Sequence, residues 1–268
     1  MDDGEVATMA GTAGMAGMDS DGEPRPAGFP ACGRCAYRVC ERPLVCVECL
    51  ASVTQPGADP TASCCPVCEQ TLRADGSCAN DWCGRADRWF SLVFSIGPRS
   101  GSLRRAISRY KYRGEVEWAD VFGRLLLGFL DDRMPSLDEY DFLLSMPCYR
   151  GPAARRSWDP VLHISAVAER LAGPRWPFLH GVIEKRQETP CMAGRTLGGR
   201  RAVAEGSLRR ALRVVAPRQV AGARILVVDD VFTEGSTLRE VARALLMAGA
   251  NEVAGLVLAR QPWTPRGG

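Results

Sequence analysis

Hydrophobic positions along this chain follow two alternating rhythms. Leu103, Ile107 and Tyr110 share one helical face, and Trp118, Val121, Phe122, Leu125 and Phe129 repeat the spacing. Apolar side chains three and four residues apart let a helix bury one stripe. Short apolar runs read as strands at Trp89 to Ile96, Asp141 to Met146, Ile225 to Val228 and Glu252 to Leu258. The run Ile225, Leu226, Val227, Val228 shows no polar alternation, as expected of a parallel strand covered on both faces. Leu238, Val241, Ala242, Leu245 and Leu246 then return to helical spacing, with Gly249 placed to cap the end. Asp159–Pro160 marks another helix start, with a carboxylate N-cap and proline at N1, and that helix is predicted to run to about Ala172. Strands alternating with helices in this way predict an α/β fold with a parallel sheet.

The segment ILVVDDVFTEGSTL, residues 225–238, carries the chemistry. It places Asp229 and Asp230 at the C-terminal end of a buried strand, the edge at which open α/β sheets bind ligands. Thr233, Gly235, Ser236 and Thr237 are small and precede a helix, whose unpaired N–H groups and dipole favour an anion. Carboxylates for hydroxyls and amides for phosphate together suit a phosphorylated sugar. A plain strand–helix corner, with acids and threonines serving as caps, is the competing reading.

Cysteines define a second region. Ten of the twelve lie between Cys32 and Cys83. Cys32-x2-Cys35 is followed after ten residues by Cys46-x2-Cys49, and Cys65-x2-Cys68 after nine by Cys78-x4-Cys83. Two such short pairs complete a tetrahedron, the closed geometry of structural zinc. His163 and His180 lie far downstream, so both expected sites are all-cysteine. Cys40 and Cys64 are surplus, and Cys64 could replace Cys65. The segment has few large apolar residues, so metal must supply its folding energy, on the order of 10 kcal/mol per site. Disulfides and redox thiols are the rivals, and a cytosolic chain would not keep disulfides.

Composition adds limits. At 268 residues with 46% apolar content, the chain can bury a sizeable core. No apolar run approaches the roughly 18 residues that cross a bilayer. Asp2, Asp3 and Glu5 stand where a secretion signal would be basic, so we expect no signal peptide and a cytoplasmic location. The expected organisation is a disordered tail over 1–28, a double zinc-ribbon region over 29–86 and an α/β domain over 87–268. Setting the acidic tail aside raises the formal charge from +3 to +8. Two tetrathiolate zinc sites, at a net −2 each, bring it back to about +4, so bulk charge is a weak argument for nucleic acid.

The 225–238 string closely resembles the 5-phosphoribosyl-1-pyrophosphate (PRPP) motif of type I phosphoribosyltransferases. YKYRG at 110–114, SMP at 145–147, ETP at 188–190 and LAR at 258–260 narrow the resemblance to the ComF (competence protein F) family. It covers roughly residues 30 to 260. It implies a type I phosphoribosyltransferase-like parallel sheet flanked by helices, preceded by a small all-cysteine double zinc-ribbon module. By this resemblance Asp229 and Asp230 hold the ribose hydroxyls, and Thr233, Gly235, Ser236 and Thr237 cradle the 5′-phosphate. Arg155 and Arg156, in the loop before Asp159, and Lys185 would receive pyrophosphate, which a planar guanidinium can pair bidentately. A solvated basic loop is the bland alternative for the two arginines. The implied cofactors are two structural Zn2+ and Mg2+ arriving with PRPP.

Residues 185–210, rich in glycine and arginine, read as a long loop of the kind that forms a lid or stays disordered; the family's mobile loop lies here. The chain also departs from the family. Glu234 stands where Thr, Ser or Gly is usual, Ser157 to Pro160 replace Gly-Phe-Asn-Gln, and Met192 and Ala202 replace Gln and Asn. A carboxylate 4 Å from phosphate would cost about 4 kcal/mol at an effective dielectric of 20, so Glu234 must point outward or the phosphate site is damaged. Two functions follow. One is transfer of a phosphoribosyl group to an unknown acceptor with release of pyrophosphate. The other is a catalytically weak adaptor in DNA uptake or recombination, binding partner proteins or single-stranded DNA. Trp158 beside the arginines could stack a base or belong to the core.

Overall fold

A computed structural model describes residues 63–262 apart from Ala153 and Ala193, and leaves aside the side chains of Ser102, Asp132, Met134 and Pro135. The expected tail, the first cysteine set (Cys32, Cys35, Cys46, Cys49) and Cys40 lie outside the described residues.

Four parallel strands form the main sheet in the order β1-β6-β5-β2. They are β1 (Val93–Pro98), β2 (Phe142–Ser145), β5 (Arg224–Phe232) and β6 (Glu252–Arg260). Central β5 buries Ile225, Leu226, Val227 and Val228 almost completely, as a doubly covered strand requires. It also runs further than the apolar run suggests. Its pairing with β6 continues through Asp229 opposite Val257 to Phe232 opposite Arg260, so both acids sit within the strand's last turns of pleat. Strand β1 begins at Val93, later than the sequence pattern indicates, because Trp89 takes a left-handed φ of 69° and breaks the extended run.

Helices α1 (Gly101–Arg113), α2 (Trp118–Asp132), α3 (Pro160–Ala172) and α5 (Ser236–Met247) flank the sheet. The predicted stripes are mostly the buried ones: Leu103, Ile107 and Tyr110 on α1, Trp118, Val121, Phe122 and Leu125 on α2, Leu238, Val241, Ala242 and Leu245 on α5, while Phe129 and Leu246 are partly buried at their edges. Asp159 caps α3 by accepting from the amides of Val161 and Leu162, as its sequence signal requires. Helices α2 and α3 cross closely at Gly123, where an added Cβ would come within 2.5 Å of Val167.

The 185–210 stretch is not one long loop. β3 (Ile183–Lys185) and β4 (Leu212–Val214) pair antiparallel in a separate two-stranded sheet. Between them α4 (Leu197–Val203) continues through a π-turn at Ala204–Leu208 into Arg209–Ala211. The Thr196 hydroxyl caps α4 by accepting from Gly199 N–H. Val203, Ala204, Leu208 and Ala211 bury one stripe, and that apolar face outweighs the low helix propensity of the glycines.

Candidate functional site

The C-terminal ends of β5 and β2, the 233–237 loop and the start of α5 surround one cavity of about 540 Å³. Asp229, Asp230, Thr233, Gly235, Ser236 and Thr237 all line it. The loop closes at Gly235, whose φ of 101° suits glycine alone. A Cβ there would meet Phe232 at 2.8 Å and Phe90 at 3.1 Å. As N-cap of α5, Gly235 offers no side-chain acceptor, which leaves the first amides of the helix without a capping partner.

The two acids have different surroundings. Asp230 is buried and paired with Lys111, Nζ to Oδ2 2.7 Å. Desolvation acts against the Lys111 ammonium, but Asp230 and then Asp229 outweigh it and hold its pKa above the ordinary value. Asp229 accepts the Asp230 amide at 2.8 Å. Burial, reinforced by the Asp230 charge, pushes the Asp229 carboxyl up to about 8. The pair therefore combines one ion-paired acid with one whose surroundings favour its protonated form.

Glu234 does not point outward. It is 3% exposed and accepts from Ser236 Oγ at 2.7 Å through Oε1. Its Oε2 lies 3.8 Å from Arg201 Nε, and neither atom makes a hydrogen bond. Burial raises the Glu234 carboxyl above its usual range, with Ser236 and the arginines opposing. The Ser236 hydroxyl thus faces the glutamate in this state.

Arg156 and Lys185 reach the cavity, while Arg155 is not among its lining residues. Arg155 is half exposed, turned toward Glu188 at 3.8 Å and the Thr189 carbonyl at 3.3 Å. Lys185 is held below its usual pKa by burial, which a bound anion would counter. Arg156 sits over the Tyr112 ring at 5.4 Å, and Tyr112 itself is 62% exposed at the rim. Trp158 packs edge-on against Tyr110 at 4.7 Å, as a core-side residue. His163 is exposed on α3.

Sequence reasoning left Lys111, Arg99, Arg200 and Gln261 unassigned, and all four line the cavity. For Lys111 a signal existed: it follows Ile107 by one helical turn and so shares the buried face of α1. Arg99 donates to Gln261 Oε1 at 2.8 Å across the ends of β1 and β6, a pairing that no local pattern announces.

The second cysteine set is assembled. The sulfurs of Cys65, Cys68, Cys78 and Cys83 lie within 4.8 Å of one another. A tetrahedral zinc with bonds of 2.3 Å needs sulfurs about 3.8 Å apart, close to the 3.6 Å between Cys68 and Cys78. Val67 N–H and Asn80 N–H point at Cys65 and Cys78 sulfurs, both at 3.4 Å, as amides do around thiolate ligands. Cys65, not Cys64, belongs to the set; Cys64 is exposed and bridges to Thr71. The donor set therefore fits a metal ion such as zinc.

A parallel sheet with an acid pair and a glycine-closed loop at its C-terminal edge defines a phosphoribosyltransferase-like fold, and residues 198–265 match the phosphoribosyl transferase domain. The relatives narrow this further. The chain is 28% identical over 227 residues to DNA utilization protein YhgH of Salmonella typhimurium, covering 83% of this chain and 86% of that protein. It is 27% identical over 178 residues to Competence protein F of Haemophilus influenzae, covering 64% and 73%. It is 22% identical over 193 residues to Competence protein ComFC of Bacillus subtilis, covering 70% and 74%. These relatives and the domain match together support the ComF family for this chain. A solved structure of the allosteric regulatory enzyme of purine biosynthesis is similar over 51% of this chain and 24% of its own, at 24% identity and a TM-score of 0.30. Among the described residues no helix is long and apolar enough to cross a membrane.

Proposed function

We propose that the cavity binds PRPP or a related phosphosugar and that the chain transfers its phosphoribosyl group to a nitrogen acceptor, releasing pyrophosphate. The observation that carries this reading is the gathering of Asp229, Asp230, Thr233, Gly235, Ser236 and Thr237 around one cavity of a size suited to a small ligand. Asp229 and Asp230 take the ribose hydroxyls, and the pair stabilises positive charge at the anomeric carbon once Asp229 has released its proton. The amides of 235–237 and the hydroxyls of Thr233 and Thr237 take the 5′-phosphate, and the Ser236 hydroxyl joins them only by leaving Glu234, whose carboxylate weakens this part of the site. Arg156 and Lys185 face the pyrophosphate, and Arg155 joins them only by leaving Glu188. Magnesium supplies charge neutralisation on the diphosphate and comes with the substrate. The β3–α4–β4 flap excludes water from the reacting carbon. Zinc in the Cys65, Cys68, Cys78, Cys83 set supplies folding energy to the N-terminal module, and the same role is proposed for Cys32, Cys35, Cys46 and Cys49. A cytoplasmic location goes with reduced thiolate ligands of this kind.

Calorimetry of the zinc-loaded chain with Mg2+ and PRPP tests this. Binding that disappears in Asp229→Asn/Asp230→Asn supports it; heat that survives the double change, or none in the wild type, removes it. The relatives' names, DNA utilization protein and Competence protein, favour a second reading. In that reading the domain is a weak catalyst or none, and serves DNA uptake through partner proteins or single-stranded DNA. Salt-sensitive DNA binding indifferent to the acid substitutions would favour it.

A further inference from the structure

We propose that Asn80 is a positioning residue for the 233–237 loop, tying it to the four-cysteine cluster so that metal in the cluster sets the direction of the loop's amides. It rests on the proposed reading of this loop as a phosphate cradle, while the link to metal stands on contacts alone.

Asn80 lies between two members of the cluster, Cys78 and Cys83, and is 7% exposed. Its four polar groups are committed, the backbone carbonyl accepting from Cys83 N–H at 3.0 Å. The amide N–H faces Cys78 Sγ at 3.4 Å, Oδ1 accepts from Trp82 N–H at 3.2 Å, and Nδ2 donates to the Glu234 carbonyl at 2.9 Å. The last bond joins residues 154 apart in sequence. In a trans peptide the carbonyl and the following N–H point in opposite directions. Drawing the Glu234 carbonyl toward the cysteine module therefore turns the Gly235 N–H away from it, on the side from which an anion approaches. A released carbonyl could swing into the cradle and oppose a phosphate.

The surroundings stiffen this tie. Trp82, 1% exposed, lies under the guanidinium groups of Arg239 at 4.4 Å and Arg201 at 4.9 Å. Arg239 belongs to α5 and also donates to Asp87 at 2.7 Å. Arg201 belongs to α4 of the flap and donates to Asp81 at 3.2 Å. The residues between and after Cys78 and Cys83 thus hold the loop, the helix it opens and the flap. Metal binding and loop geometry then share free energy, and such coupling is reciprocal.

The variant Asn80→Asp keeps the acceptor for Trp82 N–H and removes the donor to Glu234. In the full chain labelled with 15N-glycine, the Gly235 amide resonance, identified by its loss in Gly235→Ala, is expected to shift and broaden in Asn80→Asp. Zinc content, measured by mass spectrometry, and the Gly123 resonance stay unchanged. Asn80→Ala, which adds no charge, gives the same change, and so does removing zinc from the wild type. A Gly235 resonance that ignores both substitutions at full zinc overturns the proposal. So does one that ignores zinc removal. In a second arm, Mg2+ and PRPP slow zinc transfer to a chromogenic chelator by about tenfold in the wild type and not in Asn80→Asp, the change expected of one hydrogen bond. Equal slowing in both overturns the proposal. Absence of PRPP binding to the wild type defeats the proposed function instead, and the resonance arm still decides the role of Asn80.

Discussion

Lys111 and Asp230 form an ion pair of 2.7 Å inside the cavity, joining helix α1 to the end of β5 across 119 residues of sequence. Both side chains are largely shielded from water, so each is the other's main compensation for lost hydration. The pair also fixes the direction of the Asp230 carboxylate at the cavity wall.

Removing one member strands the other. Lys111→Met is expected to lower unfolding free energy by about 3 kcal/mol, because Asp230 is left charged and buried. The double variant Lys111→Met/Asp230→Asn should recover most of this. Urea denaturation of the three proteins at neutral pH decides it; a double variant no more stable than the single one would refute the pairing energy.

Asp229 gives a pH signature. Its folded carboxyl titrates at about 8, well above the roughly 3.9 of an unfolded aspartate. The folded chain then holds the proton more tightly, so this group favours folding below pH ~4 and that contribution is lost as pH rises toward 8. Wild-type stability is expected to fall across that window more steeply than that of Asp229→Asn. Parallel denaturation curves at pH 5 and 8 would contradict it.

Glu234 faces the loop with a partly compensated charge. Glu234→Ser is expected to tighten binding of ribose 5-phosphate at least about tenfold at pH 8, against a ceiling of about 4 kcal/mol for charges 4 Å apart. Because burial raises the carboxyl, the gain should shrink as the pH falls and the glutamate takes up its proton. Calorimetry at pH 8 and 5 measures both effects, and equal gains at the two would exclude the charge as cause.

At Gly235 both the positive φ and the contact with Phe232 oppose a side chain. Gly235→Ala is expected to cost about 1–3 kcal/mol in thermal unfolding and to abolish phosphosugar binding. Retained affinity would show that the loop tolerates another conformation.

For the metal, Cys65→Ser should remove one equivalent of zinc and Cys64→Ser none, by inductively coupled plasma mass spectrometry. The reverse result would reassign the ligand.

Elements governed by local periodicity were open to sequence reasoning. The β5–α5 corner, the Asp159 cap and the buried stripes of α1, α2 and α5 all depend on residues within a few turns of one another. Long-range partnerships were not. Nothing near Asn80 announces Glu234, and nothing near Arg155 shows that Glu188 draws it away from the cavity. Helix α4 was hidden for a different reason. Gly198, Gly199 and Gly206 argue for a loop, and only the burial of Val203, Ala204 and Leu208 reverses that preference.

The separate pairing of β3 with β4 leaves the flap without strand hydrogen bonds to the four-stranded platform among the described residues. Mutations in it need not disturb the acids, whose positions depend on β5 and its neighbours. The two-stranded unit can therefore change in sequence while the platform that carries the acids keeps its foundations.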